Sequence, residues 1–172
     1  MSAARQQPTD ASLEQKIRPR GWLAQAVRRF QRDGYRVVLT NGCFDVLHVG
    51  HVMLLARAKR LGDILIVALN SDRSVRTLKG PRRPIILQRD RARLVAALAS
   101  VDYVTMFDEP TPLQLIQALK PNVLVKGADW KASGIVGRAL VHRYGGRVVC
   151  LPLVSGYSTT QLITRILRQS RR

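Results

Sequence analysis

Residues 36–51 read Arg36-Val37-Val38-Leu39-Thr40-Asn41-Gly42-Cys43-Phe44-Asp45-Val46-Leu47-His48-Val49-Gly50-His51. The run from Arg36 to Thr40 is short and apolar, the pattern of a strand buried on both faces. Asn41-Gly42 is a strong turn dipeptide. From Val49 to Leu61 the spacing becomes helical, and Gly62 closes it. A buried strand that turns directly into a helix is the opening unit of a parallel α/β sheet.

The same alternation continues outward. On the C-terminal side the apolar runs predict strands at 63–69, 103–106, 123–125 and 147–151. Helices are predicted at 88–100, 111–119, 135–144 and 158–167, with Pro112 in the first turn of its helix. The polar, basic stretch 71–84 reads as a loop. On the N-terminal side Leu13, Ile17, Trp22, Leu23, Ala26, Val27 and Phe30 recur at mostly helical spacing. They predict one or two helices interrupted near Pro19 and Gly21. Residues 1–10 are polar and read as a disordered N-terminus, and 11–172 as a single domain with an N-terminal helical segment. The expected fold is a Rossmann-like α/β domain: a five-stranded parallel sheet with helices on both faces. Ligands of such sheets bind at the carboxyl ends of the strands, near the topological switch point.

Length and composition narrow the function. The chain has 172 residues, 46% apolar and 23% charged, enough for a core without disulfides. Two cysteines, Cys43 and Cys150, exclude a disulfide scaffold and a Cys-rich zinc module. They fit a reducing compartment, and the N-terminus has no apolar signal-like region, so a cytoplasmic location is expected. No apolar run approaches the roughly 20 residues that span a bilayer, and no membrane partner is expected. The charge is +18, from 29 basic and 11 acidic residues. Such a balance favours anionic partners, whether polymers or small substrates. The Arg residues are dispersed, without the basic blocks of nucleic-acid tails.

The chemistry concentrates after the first strand. His48 and His51 flank Val49-Gly50 where a loop enters a helix. A helix N-terminus presents free N–H groups and a positive dipole end, which suits phosphate. Spacing i, i+3 puts both imidazoles on one side of the first turn. Gly50 lets backbone approach a ligand closely. Two unrelated histidines would give the same local pattern. A metal site would need a third ligand, which is not evident nearby, so no metal-binding residue is assigned. Ser158 with Gln161 reads as a capping box at the start of the last helix.

Gly42 to His51 resembles the signature of small nucleotidyltransferases with a His-x-Gly-His motif. The similarity continues through Asn70-Ser71-Asp72, Leu78-Lys79-Gly80 with Arg83-Pro84, Leu124-Val125-Lys126-Gly127-Ala128-Asp129-Trp130, Gly145-Gly146-Arg147 and Ser158-Thr159-Thr160. It covers about residues 16–166 and is closest to the heptose 1-phosphate adenylyltransferase branch. That branch occurs fused behind a sugar kinase or alone, and 172 residues resemble the stand-alone form. Trp130 stands where Tyr is usual, and Ile85-Ile86-Leu87 replaces a more polar stretch. Both blur how the sugar pocket is lined.

The resemblance implies transfer of AMP from ATP to D-glycero-β-D-manno-heptose 1-phosphate, giving ADP-heptose for lipopolysaccharide core synthesis. Mg2+ would accompany ATP, and a homodimer is implied. His48, His51, Lys79 and Arg91 are the implied catalytic residues, with Lys79 and Asp45 at the acceptor. Gly42, Cys43, Phe44, Gly50, Gly127, Asp129, Ser158, Thr159 and Thr160 are implied at the nucleotide. Asp45 could equally cap a turn, and Asp129 could serve a turn. Arg89 and Arg93 neighbour Arg91 on other helical faces.

Two other readings remain. A glycerol-3-phosphate cytidylyltransferase shares the first motif and Ser-Thr-Thr, but its relatives carry an Arg-Thr-x-Gly run that Leu153-Val154-Ser155-Gly156-Tyr157 lacks. A nucleic-acid-binding module would use the charge, yet aromatics are only 5% and form no stacking platform. No specific nucleic-acid partner is expected.

Overall fold

The computed structural model describes residues 10–127, 134–154 and 156–170. Five strands form one all-parallel sheet in the order β3-β2-β1-β4-β5. They are β1 (Val37–Gly42), β2 (Ile64–Asn70), β3 (Tyr103–Phe107), β4 (Val123–Gly127) and β5 (Arg147–Leu151). Strand order reverses between β1 and β4, so the switch point falls beside the sequence that follows Thr40.

Eight helices are described: α1 (Asp10–Lys16), α2 (Arg20–Arg32), α3 (Val49–Lys59), α4 (Asp72–Lys79), α5 (Gln88–Ala96), α6 (Leu113–Leu119), α7 (Arg138–Arg143) and α8 (Thr159–Gln169). Period-2 alternation along the strands sends side chains to two cores. Val38, Leu65, Val67 and Leu69 pack under α3 and α5 through Leu55, Ala58, Ala92 and Val95. Val37, Leu39, Ile66 and Ala68 pack under α2 and α6 through Leu23, Val27, Leu115 and Ile116. Both faces of the sheet are covered, as the apolar runs require.

Several local expectations are corrected. β1 continues through Asn41 and Gly42 rather than turning there. Gly21 lies inside α2, and the break between α1 and α2 falls at residues 17–19. Pro112 is the N-cap of α6 rather than a first-turn residue. The stretch taken as a basic loop contains α4. Ser71 caps this helix by accepting the Ser74 N–H at 3.1 Å, and Ser74 and Val75 are buried. Lys79 is its last residue.

The N-terminal segment does more than precede the sheet. Ile17 forms a parallel bridge with Val104, and the Arg18 N–H donates to the Val104 carbonyl at 2.9 Å. Lys16 Nζ donates to the Ala96 and Val101 carbonyls at 3.0 and 2.8 Å, which holds the bridge in place. α8, by contrast, buries no side chain, and Tyr157, Ile166 and Leu167 are exposed. No helix among the described residues is long and apolar enough to cross a membrane.

Candidate active site

The site is assembled where β1 ends. A Cβ at Gly42 would lie 3.0 Å from Phe44 Cε2, so the absent side chain lets the Phe44 ring fold back. Phe44 adopts φ +46, the left-handed region that a bulky residue enters only when its surroundings enforce it. Here burial does so: Phe44 is 4% exposed. Cys43 is half-buried, and its burial pushes the thiol pKa up, partly opposed by the nearby charges of Lys79, Arg91 and Arg83.

His48 is the N-cap of α3, with extended backbone and no capping bond from its side chain. Serines cap α4 and α8, but no side chain closes α3. One helical turn stacks the His48 and His51 rings, with centroids 3.8 Å apart and planes 19° apart. The Phe44 ring lies 4.9 Å from His51. Burial, and then the neighbouring His48, lower the His51 pKa to about 4. Burial also lowers that of His48. Both rings are therefore neutral near pH 7. Each Nδ1 is buried without a hydrogen-bond partner among the described residues. An imidazole nitrogen in that state donates or accepts according to tautomer.

Gly50 is buried, but its missing side chain makes room for protein rather than for a ligand. A Cβ there would stand 3.0 Å from His48 Cε1 and Nδ1 and 3.3 Å from Tyr157 Cβ. This packing joins the start of α8 to the start of α3. The Ser158 hydroxyl accepts the Gln161 N–H at 3.1 Å, the expected capping half of the motif. Thr159 is half-buried and Thr160 exposed.

Arg91 and Asp45 depart from the sequence reading. Arg91 is 0% exposed, and its guanidinium donates to the Ile86 carbonyl at 2.9 Å, the Cys43 carbonyl at 2.5 Å and the Asp72 carboxylate at 2.7 Å. Asp45 is 1% exposed. Its carboxylate accepts the Ile85 and Ile86 N–H groups at 2.7 and 3.0 Å and Arg83 Nε at 2.5 Å. Neither side chain faces open solvent, so the expected contacts with phosphate and acceptor are not on offer in this conformation. Lys79, by contrast, is exposed at the end of α4.

Gly127 ends β4 and is half-buried, while Asp129 lies outside the described residues. Sequence reasoning gave no role to Lys126. It extends from β4 across the switch point and donates to the Asn41 side chain on β1. The available signal was a lysine beside glycine at the carboxyl end of an apolar strand. The described residues contain no group of three or more His, Cys, Asp or Glu able to hold a metal. The arrangement is chemically cationic and rich in neutral imidazole and N–H donors, which suits polyphosphate.

Residues 39–165 match the model of the cytidylyltransferase-like family. The chain is 54% identical over 154 residues to the bifunctional protein HldE of Syntrophotalea carbinolica, covering 90% of this chain and 31% of that protein. It is 53% identical over 156 residues to the bifunctional protein HldE of Trichlorobacter lovleyi, covering 91% and 32%. The chain thus spans about a third of the length of the curated relatives it matches. Among solved structures, a lipopolysaccharide core biosynthesis protein from Thermoplasma volcanium is 29% identical. The match has a TM-score of 0.59 and covers 73% of this chain and 100% of that one. A pantoate-beta-alanine ligase from Francisella tularensis superposes with a TM-score of 0.58, over 89% of this chain and 79% of that one. At 16% identity that likeness is one of fold alone.

Proposed function

The chain belongs to the cytidylyltransferase-like family, and from that premise we propose that it transfers AMP from ATP to D-glycero-β-D-manno-heptose 1-phosphate. The products are ADP-heptose, used for lipopolysaccharide core synthesis, and pyrophosphate. The observation that carries the reading is the neutral, stacked His48–His51 pair with unpartnered Nδ1 atoms at the start of α3. Support for the sugar comes from the relatives named HldE and the lipopolysaccharide core biosynthesis protein.

The chemistry follows from the reactants. An oxygen of the sugar phosphate attacks the α-phosphorus of ATP. A new P–O bond forms, the bond to the α,β-bridging oxygen breaks, and pyrophosphate leaves with that electron pair. A phosphate monoester has a second pKa near ~6, so the nucleophile is already ionised and needs no strong base. Catalysis rests on alignment and on charge stabilisation. His48 and His51 donate to the phosphoryl oxygens. Lys79 spans the α-phosphate and the acceptor phosphate. Ser158, Thr159 and Thr160 receive the β- and γ-phosphates at the start of α8, and Gly42, Cys43, Phe44 and Gly127 border the nucleotide, while Gly50 makes room for the His48 ring. Asp129 is assigned to a sugar hydroxyl. Mg2+ bound with ATP would be held by triphosphate oxygens and water rather than by a group of protein ligands among the described residues, and would offset phosphate charge.

The +18 charge of the chain favours encounter with anionic substrates. We assign the reaction to the cytoplasm, where its soluble substrates reside. The bare apolar side of α8 supports a homodimer, tested by light scattering. The function is tested by pyrophosphate release with Mg2+, crossing ATP and CTP against heptose 1-phosphate and glycerol 3-phosphate. Turnover confined to ATP with the heptose is expected. Turnover with CTP and glycerol 3-phosphate would overturn the substrate, and silence in all four pairs would overturn the reaction.

A further inference from the structure

Two buried charged residues meet on the backbone of one residue, Ile86. The Ile86 N–H is held by Asp45, and the Ile86 carbonyl is held by Arg91. The remaining bonds of the two residues reach the same two segments. Arg91 also grips the Cys43 carbonyl, two residues before Asp45, and Asp45 also grips Ile85 and Arg83. The loop after β1 and the segment before α5 are thus tied together from both sides. A third tie reaches the start of α4. Arg91 binds the Asp72 carboxylate, and the Gln88 side chain accepts the Asp72 N–H at 2.9 Å.

We propose that Asp45 and Arg91 are positioning residues that fix Lys79 relative to His48 and His51. The chain from residue 72 to residue 86 is fastened at both ends to one frame, and Lys79 lies between the two fastenings. That frame is the loop that leads three residues later into His48. Burying a guanidinium and a carboxylate is costly unless every bond is made. An apolar residue at position 91 would fill the space under α5 but could not tie three separate segments. The planar guanidinium can, because its donors diverge in fixed directions. Asp45 does the same with its two oxygens, taking two backbone N–H groups on one and Arg83 on the other. The geometry makes a rigid bracket, and the residue it sets in place is the exposed cation at the end of α4.

The kinetic half of this inference rests on the nucleotidyl-transfer reading; the fastening itself does not. Both are tested on the full chain with Asp45→Asn and Arg91→Lys. The first readout is trypsin cleavage after Lys79 and after Arg82 in the substrate-free protein, followed by mass spectrometry. Cleavage at these two bonds is expected to accelerate about tenfold or more, with other sites unchanged, because local opening sets susceptibility. The second readout is pyrophosphate release from ATP and heptose 1-phosphate. Displacing Lys79 by ~1 Å is expected to lower kcat by about 10- to 100-fold. The KM for the sugar phosphate should stay within about threefold, since neither residue touches it. In a Lys79→Ala background, Asp45→Asn should cost less than about threefold more, because the residue it positions is gone.

A KM for the sugar phosphate that rises with kcat intact would overturn the proposal and make Asp45 a direct acceptor contact. Unchanged cleavage, opening without loss of kcat, or additive losses with Lys79→Ala would overturn it as well. If Arg91→Lys does not fold, Arg83→Gln carries the same expectations, because it removes only the half-buried loop partner of Asp45. A wild type silent with every substrate pair would overturn the catalytic role, while faster cleavage of the variants would still uphold the fastening.

Discussion

Replacing Gly50 with Ala places a methyl group in the gap where the His48 ring rests. The new Cβ would stand 3.0 Å from His48 Cε1 and Nδ1 and 3.3 Å from Tyr157 Cβ. Two stability effects oppose each other. Ala in place of a helical Gly gains up to about 1 kcal/mol, whereas overpacking costs about 1–3 kcal/mol. The closest clash is with the end of a flexible side chain, and His48 is only half-buried. The ring can therefore swing away, which keeps the overlap cost near the lower end. The net change is a loss of about 0–1 kcal/mol, or up to about 4 °C in Tm for a chain of this size. Catalysis has no such escape, because the swing breaks the 3.8 Å stack on His51 and removes His48 from its place at the start of α3. Losing one preorganised donor costs about 10²–10³ in kcat. Pyrophosphate-release kinetics and thermal melts on the same preparation separate the two effects. Turnover within about threefold of wild type would refute the reasoning, because the position of His48 would then not matter. A Tm loss beyond about 10 °C would refute the other half, because the ring would then have been unable to move.

Further predictions concern individual residues. His51→Ala should lower turnover by about 10²–10³ with nearly unchanged Tm at pH 7; retained turnover would remove His51 from the reaction. The His51 imidazole should titrate near 4 by NMR in the free protein and shift upward when ATP binds. With its pKa lowered from 6.5 by burial, neutral His51 imposes no penalty above about pH 6.5, the fold loses stability as pH falls towards 4 and the unfolded chain takes up the proton more readily, and His51→Ala should flatten that part of the stability curve. Lys79→Ala should impair turnover or acceptor binding, and wild-type kinetics would make Lys79 a solvated helix end. Ser158→Ala removes the cap on Gln161 and should cost about 1 kcal/mol. Because α8 buries no side chain, hydrogen exchange should rise within α8 while the global melt hardly moves.

The centre of the sheet was legible in the sequence because β1 and β2 carry their burial in their own composition. Val37 to Leu39 and Ile64 to Leu69 need no partner to be recognised as two-sided core. The start of α3 and the cap of α8 were legible for the same reason, since their signals lie within four residues of the helix end. α4 was not. Its sequence is polar and basic, only Ser74 and Val75 are buried, and its start is secured by Gln88 and Arg91, more than a dozen residues away. The burial of Arg91 and Asp45 was hidden on the same ground. A charged residue in a phosphate-binding context reads as a ligand contact, and its burial depends on tertiary bonds that no local pattern encodes. The pairing of Ile17 with Val104 was invisible too, since a single bridge leaves no periodicity. The histidine pair was found by spacing, but the burial that lowers both pKa values required the fold.

That single bridge decides where the sheet can grow. An open edge strand offers its backbone to any passing chain and is a standing invitation to polymerise. At β3 the invitation is withdrawn: Ile17 lies alongside Val104, Arg18 occupies the Val104 carbonyl, and Lys16 pins the segment from above. Strand addition along β3 would first have to displace it. Among the described residues no strand pairs along the outer edge of β5, where Arg147 and Cys150 are exposed. Any continuous sheet built from copies of this chain would therefore have to join through β5, and two such rims meeting would close into a pair instead of running on as a fibre.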